Sequence, residues 1–340
     1  MHFGVGAGPG VAPERLDVPA AREDLTRLGS SCTVVRRVIV PLESSPPRSP
    51  LTVRIVSDTA CDLPQEIAER LGVSLVPLHV RFGDREFVDR EELSTKEFWR
   101  LCAGGDALPE TSAPAPGAFQ AVFESAARDG ATGVVCVTLS SRLSATFEAA
   151  NGAAKEVKGL AVEVVDSQSV TLGEGLVVMA AAEAARGGAG VAEVRSVVEA
   201  TMRRVSVYGA IDTLDNLKRG GRIGGAAAAL GTLLSIKPVI AVRNGVVEQE
   251  SRQRTRARSL WYMAGKLRAA GPLEWLAIMG AEAADFDEFV GLISDVVPER
   301  PRILGDIGPV VGTHAGPGAI GVAWVAADRG AREEARREAD

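Results

Sequence analysis

Three short apolar runs, Val53–Asp58, Val134–Leu139 and Ala161–Ser167, each end in a polar cluster, and each precedes a helical pattern. The clusters are Ser57-Asp58-Thr59, Ser140-Ser141 with Ser144, and Asp166-Ser167-Gln168-Ser169. Buried strands that alternate with helices over some 150 residues constrain the fold more than any other feature here. They need a mostly parallel sheet covered on both faces, so the fold class is α/β. Proline starts two of the helices, at Pro64 and at Pro116, because its fixed φ fits the first helical turn.

The pattern changes near Arg203. A strand at Tyr208–Thr213, a short helix over Leu214–Arg219 and the loop Gly220-Gly221-Arg222-Ile223-Gly224-Gly225 follow. Lys237–Glu250 reads as a hairpin turning at Asn244-Gly245, a strong two-residue turn signal. Further strands are expected at 274–280, 302–306 and 319–326. The organisation expected is a disordered leader over 1–50, an N-terminal α/β domain over 51–203, a C-terminal α/β domain over 204–328 and a charged tail over 329–340.

Composition excludes several function classes. The net charge of −6 and an aromatic content of 4% argue against a nucleic-acid partner. No apolar run reaches the ~20 residues of a membrane span, so no stable membrane insertion is expected. The four cysteines, Cys32, Cys61, Cys102 and Cys136, form no CxxC pair, which points away from zinc and towards reduced thiols in a cytoplasmic protein. There is no GxSxG elbow, HExxH or Walker loop, and no cofactor is expected.

Ligands of open α/β sheets bind outside the carboxyl ends of the strands. Hydroxyls combined with helix N-terminal amides there make an anion site without a formal positive charge. Thr111-Ser112-Ala113-Pro114 adds two hydroxyls ahead of another helix. Ordinary N-capping accounts equally well for any single cluster. His314, in Gly312-Thr313-His314-Ala315-Gly316-Pro317-Gly318, is either a turn residue or a hydrogen-bond donor to a bound anion. Ala226–Leu234 is either the wall of an apolar tunnel or a plain buried helix. Arg252, Arg254, Arg256 and Arg258 make a basic patch, read as a solvated surface or as a docking face for an acidic partner.

Several stretches together resemble the DegV family. Thr111–Gly117 resembles its TSQPSPG segment, Leu139–Phe147 its LSSxLSGTY segment, and Asp166-Ser167 with Gly173 and Gly175 its DSxxxSxGxG element. Asp212–Ile223 is similar to DTLxYLKKGGRI, Leu234–Pro238 to LSIKP, and His314 falls in a GPVVxxHxGPGxxG stretch. The resemblance covers residues 53 to about 326. The chain departs from it at Ala113, Ala145 and Phe147, where the family has glutamine, glycine and tyrosine, and at Asp58-Thr59-Ala60, where it has Asp-Ser-Thr.

The resemblance implies a carrier, not an enzyme. It would hold a long-chain fatty acid in a pocket between or beneath two α/β domains and present the carboxylate to a fatty acid kinase, which makes an acyl phosphate for phospholipid synthesis. It further implies that Thr111 and Ser141 hold the carboxylate, with Ser112, Ser144 and His314 nearby. Asp58, Thr59, Ser140, Asp166, Ser167 and Arg222 would be pocket or partner contacts, and Arg254 would dock the kinase. A serine-dependent acyl hydrolase using His314 as base, and a lipid buffer independent of any kinase, remain the competing readings.

Overall fold

The computed structural model describes residues 52–105, 108–229 and 236–328. The expected leader, the charged tail and most of the apolar end of Ala226–Leu234 therefore lie outside the described residues.

The first half of the chain supplies β1 (Val53–Asp58), β2 (Val73–Val76), β3 (His79–Phe82), β4 (Arg85–Val88), β5 (Pro109–Ser112), β6 (Gly133–Thr138) and β7 (Ala161–Asp166). Four of these form a parallel sheet in the order β2-β1-β6-β7. Apolar periodicity suggests one strand over 73–82, but the structure has two, in different sheets. Pro77 lies at the break; it lacks the N–H that a continuous ladder would need. β3 instead joins β4 and β5 in a small antiparallel sheet, ordered β4-β3-β5.

The second half supplies β8 (Val205–Ala210), β9 (Lys237–Arg243), β10 (Val246–Gln253), β11 (Leu273–Gly280), β12 (Ile303–Asp306) and β13 (Ile320–Ala326). They form a six-stranded sheet, β10-β9-β8-β13-β11-β12, antiparallel except between β11 and β12. The β9–β10 turn falls at Asn244-Gly245, both with positive φ, as a type I′ turn requires.

The helices are α1 (Gln65–Leu71), α2 (Thr95–Gly104), α3 (Pro116–Arg128), α4 (Thr146–Glu156), α5 (Leu172–Arg186), α6 (Val191–Met202), α7 (Asp215–Arg219), α8 (Arg256–Ala269), α9 (Phe286–Leu292) and α10 (Pro309–Ala315). α3 and α4 cover the outer face of the parallel sheet with Phe119, Phe123 and alanines. α8 and α9 cover the outer face of the six-stranded sheet with Leu260, Met263, Leu267 and Phe289.

α5 packs against strands of both large sheets and is apolar nearly all round, as a fully buried helix must be. Each of its buried Leu, Val and Met side chains contributes roughly 1.5–3 kcal/mol. Its two glycines permit the close approach. A Cβ on Gly173 would lie 2.1 Å from Val207 Cγ2, and one on Gly175 would lie 2.8 Å from the Cys61 carbonyl. The glycines of the DSxxxSxGxG-like element therefore serve packing. Among the described residues, no helix is long and apolar enough to cross a membrane.

Candidate functional site

A cavity of about 220 Å³ opens between the inner face of the six-stranded sheet and the elements facing it. β8, β9 and β11 contribute Val207, Ile240, Val242 and Met279, and α10 contributes Val310 and Val311. Strand alternation explains the apolar wall. Val207, Ile240, Val242 and Met279 belong to the core between the sheets, whereas Tyr208 and Ile278 pack on the other face.

Polar groups gather at one end. Thr111 is the penultimate residue of β5, and its Oγ1 lies 2.9 Å from His314 Nε2 on α10. Ser112, Ser144 and Arg222 share this wall with them. Ser144 Oγ lies 2.9 Å from Thr146 Oγ1. Arg222 donates from Nε to the Leu143 carbonyl at 3.0 Å and from Nη1 to the Gly220 carbonyl at 2.6 Å. It thereby ties the glycine loop after α7 to the serine-rich loop after β6. Thr111, Arg222 and His314 also line a surface depression of about 980 Å³. The polar end thus lies where the inner cavity meets the outside.

Burial, with the Arg222 charge as a second cause, pushes the His314 imidazole down to about 4, so it is neutral at pH 7. With its proton on Nε2 it donates to Thr111 and frees the threonine O–H for an anion. Its Nδ1 is buried without a hydrogen-bond partner among the described residues. Gly220 makes room for this edge of the ring, since a Cβ there would lie 2.3 Å from Nδ1. His314 sits on a short proline-started helix, not in the glycine loop the sequence suggests.

The remaining candidates are employed elsewhere. Ser141 does not reach the cavity wall: its hydroxyl donates to Asp166 Oδ2 at 2.5 Å and its amide to Oδ1 at 3.2 Å. Ser140 donates to the Gly245 carbonyl at 2.7 Å, pinning the β9–β10 turn against the end of β6. Ser167 is buried within its own loop, where its hydroxyl caps the Ser169 amide at 3.1 Å. Thr59 accepts from the Leu78 amide at 3.1 Å. Asp58 accepts from the Ala60 and Leu139 amides at 3.0 and 2.9 Å, joining the ends of β1 and β6. Burial still pushes its carboxyl up to about 7. No serine of the 140–144 loop pairs with His314 among the described residues. Arg254 is exposed between β10 and α8; Arg252 belongs to the strand, and Arg256 and Arg258 to the helix. Of the suggested Ala226–Leu234 wall, Ala226 is buried and residues 230–234 lie outside the described residues.

Sequence reasoning missed two contributors. One is the inner face of the six-stranded sheet, visible only as alternation in β8 and β9 once their pairing is known. The other is Thr171, which lines the cavity at φ 54° and donates to Asp62 Oδ2 at 2.7 Å. Asp62 also accepts from the Gly308 amide at 3.0 Å, which anchors the loop into α10.

The model of the DegV family, described as uncharacterised proteins, matches residues 52–327. A DegV domain-containing protein of Deinococcus radiodurans is 37% identical over 282 residues, covering 80% of this chain and 98% of its own. A fatty-acid-binding DegV family protein from Thermus thermophilus has a solved structure with TM-score 0.75 and 34% identity, covering 81% of this chain and all of its own. DegV of Bacillus subtilis, a fatty acid binding protein, superposes with TM-score 0.74 at 27% identity, covering 82% and 100% of the two chains. A stearic acid-binding protein from Eubacterium ventriosum gives TM-score 0.72 at 26% identity, covering 81% and 98%.

Proposed function

The chain belongs to the DegV family, and from that premise we propose that it binds a long-chain fatty acid and presents the carboxylate to a separate fatty acid kinase. The observation that carries this reading is the apolar cavity whose polar end, Thr111 with His314, lies where it meets a surface depression. An acid seated there would have its tail inside and its head within reach from outside.

The chemistry suits presentation. The Thr111 hydroxyl, positioned by neutral His314, donates a charge-assisted hydrogen bond to the carboxylate, and Ser144 and Ser112 stand beside it. Arg222 adds positive potential, but its guanidinium is partly engaged by two carbonyls. The carboxylate oxygen therefore keeps the electron density it needs to attack phosphorus, which a buried lysine clamped onto it would withdraw. Affinity comes mainly from the tail. Each buried methylene contributes about 0.8 kcal/mol, on the order of 10 kcal/mol for a long chain before ordering costs. The pairing of His314 with a threonine, and not with a serine of the 140–144 loop, favours a carrier over a hydrolase.

Organic extracts of the denatured protein, purified from a lipid-replete host, are expected to contain a long-chain acid by mass spectrometry. Finding only empty protein would reject the reading. Charge reversal at exposed Arg254 is expected to leave lipid binding intact and to lower kinase-dependent phosphorylation. Unchanged phosphorylation would remove Arg254 from the docking face.

A further inference from the structure

Gly209 in β8 and Gly321 in β13 face each other across two central strands of the six-stranded sheet. The same cross-strand row continues to Ile240 in β9 and to Met279 in β11. All four residues line the cavity. The neighbouring row on this face carries Val207 opposite Val242, both branched. A central strand ordinarily fills such positions with branched or aromatic side chains, and glycine weakens it.

Neither glycine has a positive φ, so backbone conformation does not demand them. Close packing accounts for Gly321, whose Cβ would lie 2.9 Å from Met279 Cγ. It does not account for Gly209. Among the described residues, a Cβ there would have Ile240 Cγ1 as its nearest neighbour, at 3.4 Å, an ordinary contact. The protein could hold a side chain at Gly209, and the space that side chain would take belongs to the cavity.

We propose that Gly209 is a notch in the sheet over which the acyl chain lies, and that it sets which chains the pocket accepts. This rests on the fatty-acid reading and deepens it. An alkyl chain crossing the notch contacts bare backbone, and any side chain at Gly209 competes with it for the same volume. Acids too short to reach the notch do not sense the change.

The test uses the delipidated full chain, Gly209→Ala and Gly209→Val, and a saturated series from octanoate to octadecanoate. The expected result is equal affinity for the shortest acids and divergence beyond one chain length. Past that length Gly209→Ala loses several-fold and Gly209→Val about tenfold or more. The lipid-free Tm should hold or rise, because alanine and valine suit a strand better than glycine. Parallel loss at every length, octanoate included, or a drop in lipid-free Tm accompanying it, would make the glycine structural and overturn the proposal. So would equal binding at every length. A wild-type protein that binds no acid of any length removes the carrier reading, and this inference with it.

Discussion

Two groups of hydroxyls and carboxylates look alike in the sequence and behave differently in the fold. The Ser57–Asp62 group at the end of β1 is turned inward. Asp58 and Asp62 accept from backbone amides of β1's own loop, of the residue after β6 and of the loop before α10. Ser57 donates to buried Glu174 of α5 at 3.1 Å. The Thr111–Ser144–His314 group faces the cavity, where the Thr111 and Ser144 hydroxyls bond to His314 and Thr146 and not to backbone amides. The two groups differ in where their side chains point, into the packed interior or into the cavity, although residue type does not distinguish them.

The inner group should respond to mutation through stability. Asp62→Ala strips the acceptor from the Gly308 amide and the Thr171 hydroxyl and leaves both buried. It is expected to cost about 3 kcal/mol, a fall in Tm of roughly 6–12 °C by calorimetry. An unchanged Tm would erase the distinction between the groups.

The cavity-facing group should respond through binding. Thr111→Val keeps the shape and loses the hydroxyl, and it is expected to weaken the bound acid about tenfold, with a smaller fall in Tm than Asp62→Ala because His314 Nε2 loses its partner. The matching long-chain alcohol should lose much less in parallel titrations. Equal loss for both ligands would take the carboxylate away from Thr111.

The two groups should also carry opposite pH slopes. Asp62 is pushed up to about 7, mainly by burial. Its advantage over Asp62→Ala is greatest in acid and is lost as pH rises through about 7. His314 is pushed down to about 4 from 6.5. Its contribution relative to His314→Asn is present above 6.5 and is lost as pH falls through about 4. Melting curves of each pair across this range read the slopes, and slopes of one sign would contradict the assignment.

The smallest effect is expected at Ser141. Its hydroxyl is committed to Asp166, so Ser141→Ala should change acid affinity less than twofold. A loss as large as that of Thr111→Val would mean that the hydroxyl leaves Asp166 when the acid binds.

Much of this was legible in the sequence. The parallel strands, the Asn244-Gly245 hairpin and the grouping of Thr111, Ser144 and His314 all follow from local patterns or from the family resemblance. The split of 73–82 into two sheets was not, because an apolar period cannot tell one strand from two that meet at Pro77. Nor was the inward turn of Asp58 and Ser141, since their partners Leu139 and Asp166 lie 81 and 25 residues away and meet them only through strand order. The cavity floor was invisible for the same reason: Val207, Ile240 and Met279 share a face only after four strands, β9, β8, β13 and β11, find their register.

A crystal structure of the lipid-loaded protein is the most direct test. It should place a carboxylate oxygen within about 3 Å of Thr111 Oγ1, with the chain running inward over the inner face of the six-stranded sheet. A headgroup bound elsewhere, or a chain that leaves that face untouched, would contradict the account.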